Sequence, residues 1–157
     1  MSQKLFLLFH IGRDRYALPA SEVAAVLPMA SLKQMPGTPP WVAGLFSHGV
    51  QHVPVIDISR LALGTASAQR LSTRLVLVHY TMPDGRRHLL GLLLERATDT
   101  LRCAVEAFAA SGLEQPEAPY LGPVMRHGGH LLQWVTIDAL LDEAARALLF
   151  PSQEVVS

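Results

Sequence analysis

Seven histidines, one cysteine and a few carboxylates beside apolar runs are the side chains of this 157-residue chain that could do chemistry. His48 and His52 stand close together in "GLFSHGVQHVPVID", residues 44–57. On one extended strand that spacing separates the Cα atoms by about 13 Å, too far for two nitrogens to share a metal at bonds of about 2 Å. A helix would bring them together, but Gly49, Val50 and Val53-Pro54-Val55 oppose one. His127 and His130 flank Gly128-Gly129, a turn able to join them, yet a nearby third ligand is lacking. These histidines read as exposed turn residues, and no metal is expected.

Acid–base catalysis needs a positioned pair of titrating groups in a cleft. Asp57 and Asp138 are the candidates, but each stands where an apolar strand gives way to a helical turn, and capping accounts for both. Glu95 follows Leu92–Leu94 and marks the exposed end of a strand. Cys103, beside Leu101, reads as a small core residue. A glycine-rich phosphate loop, Gly-x-Ser-x-Gly and His-Glu-x-x-His are all absent. Neither an enzymatic reaction nor a cofactor is expected.

The elements that must position these groups are mostly strands. "KLFLLFHIGRDRYALP" is strand, turn, strand, with Gly12 to Arg15 as turn chemistry. "PASEVAAVLP" predicts a short helix capped by Ser21, with Val23, Val26 and Leu27 on one face and Pro28 as its stop. "QMPGTPPWVAG", with three prolines, forces stiff extended backbone at a turn or edge. "LFSHG" and "VQHVPVIDI" form a hairpin, after which "RLALG" is a helical turn ended by Gly64. "TASAQ" is a connector. "RLVLVHYTMPDGRRHLLGLLLERA" is two long strands around Asp84-Gly85. "AVEAFAAS" predicts a short helix, "GLEQPEAP" a loop and "HLLQWVTI" a strand. "DALLDEAARALLF" predicts a helix capped by Asp138, with Leu140, Leu141, Ala144, Ala145 and Leu148 on its apolar face. Trp41 and Trp134 are core residues or interface anchors.

A weak repeat runs through this order. Gly44, His48-Gly49, His52 and Val55-Ile56-Asp57 are echoed by Gly122, His127-Gly128, His130 and Val135-Thr136-Ile137-Asp138. Two related small β-barrels fit the repeat better than a βαβ sheet, because most connections are too short for helical crossovers.

Composition narrows the partners. Thirteen basic and thirteen acidic residues cancel, which excludes the electrostatic footprint of a nucleic-acid binder. Half the residues are hydrophobic and 17% are charged, so partners are expected to cover some apolar surface. No uncharged run reaches the ~20 residues of a membrane span, and "MSQKLFLLFHIGRD" lacks a signal-peptide core, so no membrane insertion and a cytoplasmic location are expected. One cysteine excludes an internal disulfide.

Together "FLLFHIGRDRYALPASEVAAVL", "MPGTPPWVAGL", "VPVIDISRL", "TRLVLV", "GLLLERATDTL" and "YLGPV…LLQWVTIDALL" resemble, in order and spacing, the CheW family of bacterial chemosensory adaptors. The resemblance covers residues 4–149 as a single domain, with a first barrel at about 4–66, a second at about 67–149, and strand exchange between them allowed. It implies two five-stranded SH3-like β-barrels sharing a hydrophobic seam, with a C-terminal helix. It also implies a non-enzymatic adaptor that couples a membrane chemoreceptor's cytoplasmic tip to the regulatory domain of a CheA-like histidine kinase, located at receptor arrays. "RLSTRLVLVHY" and "HLLGLLLERATDTLR" look most like the Wsp-type surface-sensing subclass.

Carried over by position, Val23 and Val26 match groove-lining residues, and Gly44, Pro54 and Asp57 match the framework of the receptor-contacting loop. Phe46, Ser47, His48, Gly49 and Val50 complete the expected receptor-binding set. The chain departs from the family pattern Gly-x-x-Asn-x-Arg-Gly at this loop: Ser47 replaces the Asn, Gly49 the Arg and Val50 the second Gly. Losing the Arg removes a fork of donors that histidine cannot reproduce. Glu95 stands at a usual Asp and Ala97 at a usual Val. The competing readings are a ligand-binding module using the cleft between barrels, and a metalloenzyme built on His127 and His130.

Overall fold

Four antiparallel hairpins carry the fold, described for residues 2–151 in a computed structural model. They are β1 (Gln3–Ile11) with β2 (Asp14–Pro19), β4 (Val42–His48) with β5 (Gln51–Asp57), β6 (Arg74–Thr81) with β7 (Arg87–Ala104), and β8 (Leu121–His127) with β9 (His130–Val135). A short strand β3 (Val23–Pro28), helix α1 (Ile58–Leu63) and C-terminal helix α2 (Glu143–Leu149) complete the set.

The hairpins assemble into two five-stranded barrels. One runs β3-β6-β7-β5-β4 and the other β7-β1-β2-β9-β8. Strand β7 belongs to both: residues up to Leu94 pair with β6, whereas Asp99 to Ala104 pair with β1. The changeover is a bulge, with His10 opposite Glu95 but Leu8 opposite Asp99. Arg96 turns the chain there in left-handed backbone, φ 50°. Neither barrel is a consecutive half of the chain. Residues 66/67 mark a junction between hairpins, and each barrel draws strands from both sides of it.

The repeat has a structural form. In each barrel the second strand of a hairpin lies parallel to a strand from elsewhere, β5 against β7 and β9 against β2. Strands β1 and β6 are buried on both faces, which is why "FLLF" and "LVLV" read as unbroken apolar runs. Alternate side chains go to different cores. Leu75 and Leu77 fill one barrel, Phe6 and Leu8 the other, and Leu7, Phe9, Val76, Val78 and Tyr80 meet in a seam between them. In the second barrel Phe6 and Phe108 each pack edge to face with Trp134 and tilted against each other, with ring centroids 4.9–5.3 Å apart. Cys103 lies against Met125 there, and burial pushes its thiol pKa up, away from a nucleophile's range.

Three local expectations are corrected. Residues 20–28 are not helical: a 3-10 turn at Ala20–Glu22 leads straight into β3. The segment 104–111 keeps only a 3-10 turn, Val105–Ala107. The C-terminal helix is capped by Asp142, whose carboxylate accepts from Ala145 N at 2.8 Å, while Asp138 accepts from Thr81 N at 3.2 Å. Leu140, Leu141, Ala145, Leu149 and Phe150 are buried, whereas Ala144 and Leu148 face solvent.

Candidate partner-binding surface

The β4–β5 hairpin projects from its barrel. Phe46 pairs with Val53 and packs inward, but Ser47, His48, Gly49 and Val50 are exposed, Val50 at 97%. The two-residue loop Gly49-Val50 joins His48 to its partner Gln51, and Gly49 carries the positive φ of 62° that such a loop needs at its first position. The turn geometry thus favours glycine where the family pattern has Arg. His48 stacks on Phe46, with centroids 6.1 Å apart.

His48 and His52 do not share one strand. They lie instead on the two arms of the hairpin, Ser47 opposite His52 and His48 opposite Gln51. His127 and His130 are direct partners across their turn, as the Gly128-Gly129 pair predicts. Among the described residues, no three His, Cys, Asp or Glu side chains are grouped to hold a metal.

Gly44 fixes the base of the hairpin. Its φ is +150°, and a Cβ there would lie 2.5 Å from Lys33 O and 2.9 Å from Leu32 Cβ. That contact lets Lys33 exchange two backbone hydrogen bonds with Leu45, at 2.9 and 2.8 Å. The proline-rich connection between β3 and β4 is thereby strapped to the hairpin, with Met29, Ala30 and Leu32 packed on the barrel interior.

Val23 and Val26 share a face, although not by helical spacing. Val23 pairs with Val78, Ala25 with Leu77 and Val26 with Val76, so the ladder slips by one residue at Ala24. This bulge returns both valines to the side of Val76 and Val78, which line the seam. Val23 packs against that seam, and Val26, opposite Val76 in the ladder, is 46% exposed. The signature of a bulge, two residues opposite one, is invisible without the partner strand. Phe46 faces a different core, inside the barrel.

Asp57 is a framework residue. It is buried, caps α1 through Arg60 N at 3.3 Å, and accepts from Ser67 N at 2.9 Å and Ser67 Oγ at 2.6 Å. Glu95 continues the work by accepting from Ala68 N at 3.1 Å. Two carboxylates so hold the polar connector between α1 and β6. Asp57→Ala is expected to lower unfolding free energy by about 2–3 kcal/mol, since the cap is lost and buried donors are left unpaired. Urea denaturation of the variant reads this directly.

A cleft of about 600 Å³ was not legible in the sequence. His52 and Pro54 of β5, His79, His88, Leu149 and Phe150 line it. His88 stacks flat on Phe150, 4.5 Å between centroids, and among the described residues its buried Nε2 has no partner. Its lining comes from four separated elements, so no motif announces it.

The family model for the CheW-like domain matches residues 5–145. The crystal structure of the scaffolding protein TtCheW from Thermoanaerobacter tengcongensis superposes with a TM-score of 0.77 at 15% identity, covering 90% of each chain. No curated protein sequence gives a significant match. With two barrels sharing a seam, and a family match spanning nearly all its length, the chain belongs to the CheW-like domain family.

Proposed function

We propose that this chain is a non-enzymatic adaptor of a chemosensory array, joining the cytoplasmic helical tip of a membrane chemoreceptor to the regulatory domain of a CheA-like histidine kinase. The observation that carries the reading is the apolar pair on β3, where the bulge at Ala24 presents Val26 half-exposed beside half-buried Val23. An apolar surface of this kind suits the apolar stripe of a helix. The projecting tip Ser47–Val50 adds a second contact in which apolar packing, through Val50, stands in for the family's charged fork. The clefts of the molecule are open and mixed in polarity, which disfavours a small-molecule module.

Val26→Asp places a carboxylate at this surface without touching the core. It is expected to weaken receptor binding at least about tenfold, because docking would strip water from an unpaired charge. His48→Ala costs about 1 kcal/mol or less if its ring only edges the contact. Co-sedimentation with receptor-bearing membranes, after circular dichroism has confirmed folding, measures both. Normal binding by folded Val26→Asp, with binding abolished in His48→Ala, would transfer the contact to the histidine. Failure to retain either a receptor tip or a kinase regulatory domain would end the adaptor reading.

A further inference from the structure

One face of the first barrel's sheet changes character along its length. On β7, Leu94, Leu92 and Leu90 enter the seam core, and on β5 so does Ile56. The same alternation brings His88 and His52 to that face, where an apolar side chain would continue the core. Strand β5 runs parallel to β7 with Val55 opposite Gly91, and counting that register back three residues sets His52 level with His88. On the other side of β7, His79 of β6 pairs with Leu89, the residue after His88. Three neighbouring strands thus bring imidazoles to the cleft of about 600 Å³, beside Leu149 and Phe150 of the seam. Positions that set a local rule aside are where function is expected.

The polar side chains of this cleft can all donate. Arg87 and Gln51 join the three imidazoles, and no carboxylate is in the lining. Among the described residues Arg87 forms no ion pair, and Asp84 in the adjoining turn is already held by Arg86 at 2.8 Å. His88, flat against Phe150, keeps a buried Nε2 that has no partner among the described residues. A buried polar atom left unpaired costs stability, and with the proton on Nε2 an acceptor brought by a ligand would recover that cost. Pro54, Leu149 and Phe150 add apolar lining.

We propose that this cleft binds a small organic anion, its oxyanion head on Arg87 and the imidazoles and its apolar body against Pro54, Leu149 and Phe150. A carboxylate and a phosphate share the chemistry required, since both accept several charge-assisted hydrogen bonds at once. The cleft is open, so its affinity is low, and the site is an accessory of an adaptor rather than the enclosed pocket of a stand-alone small-molecule module. The inference holds whichever receptor or kinase the chain serves.

Amide chemical-shift titration of the full chain with benzoate and with phenyl phosphate, each to about 10 mM, tests it, and benzyl alcohol is the neutral probe. Saturable shifts are expected at His52, His79 and His88, with Kd about 1 mM for at least one anion. The tighter of the two identifies the head group. Benzyl alcohol should bind about tenfold more weakly or less, because it offers no charge to the donors. Arg87→Gln, at the exposed start of β7, should weaken the anion about tenfold. His88→Phe keeps a ring on Phe150 and should weaken the anion while leaving benzyl alcohol unchanged. Arg13→Gln, in the β1–β2 turn outside the cleft, removes the same charge and should change nothing. If amide dispersion shows that Arg87→Gln or His88→Phe loses the fold, His79→Gln takes its place. Absence of a saturable shift at the cleft with both anions overturns the proposal. So does equal binding of benzyl alcohol, which would make the cleft merely apolar. Equal weakening by Arg13→Gln would do the same, leaving only general attraction to positive charge.

Discussion

Expressed apart, residues 1–66 and 67–157 each stay unfolded, and neither fragment shows a cooperative thermal transition. The reason is the pairing pattern. Within the first fragment the ladders are β1–β2 and β4–β5, and within the second they are β6–β7 and β8–β9. Every pairing between hairpins crosses the cut: β1 with β7, β2 with β9, β3 with β6 and β5 with β7. Each fragment is therefore left with two isolated hairpins, which are marginal in water. The seam is lost too, because Leu7 and Phe9 come from one side of the cut and Val76, Val78 and Leu92 from the other. Circular dichroism and amide proton dispersion measure the result. A fragment with a sharp melting transition would mean that one barrel is self-sufficient, against this pairing.

Gly44→Ala is expected to be the most damaging single methyl in the β4–β5 region. The added Cβ meets a backbone carbonyl at 2.5 Å, and a backbone cannot rotate aside as a side chain does. Overpacking and strain at positive φ together cost about 2–4 kcal/mol. The strap formed by Lys33 and Leu45 opens, so receptor binding falls even where the variant remains folded. Gly37→Ala is the control. Gly37 also has positive φ, 83°, but no atom lies within 4 Å of its Cβ position, so only the backbone cost of about 1 kcal/mol applies. Equal losses in urea denaturation for the two variants would show that the close approach at Gly44 carries no weight.

The hairpins were legible because their signals are local. Gly12-Arg13, Gly49-Val50 and Asp84-Gly85 each lie between apolar runs, and each closes a turn. Asp57 and Gly64 bracket α1 for the same reason, one as a side-chain cap and the other in left-handed backbone. What failed depends on distant partners. Val23 and Val26 share a face in either a helix or a bulged strand, and only β6 decides between them. Asp138 and Asp142 are both plausible caps, and the choice falls to Thr81, which takes Asp138 for its own amide. The repeat pointed to two barrels, and the family resemblance supplied what local patterning lacked, the seam that joins them. Of the candidate site, the exposed tip was readable from its turn. The inward direction of Phe46 was not.

The shared strand β7 also orders the events of synthesis. A ribosome adds about 5–20 residues per second, and the hairpin of β1 and β2 is made first. Its outer neighbours are the C-terminal half of β7 and, later still, β9. The barrel built from β3 to β6 needs only the N-terminal half of β7, so it closes earlier. Of this domain's strands, the earliest made are thus among the last to find their sheet. During that interval the apolar faces of "KLFLLFHI" are open to chaperones, so within this domain the strands made earlier wait longest for their sheet.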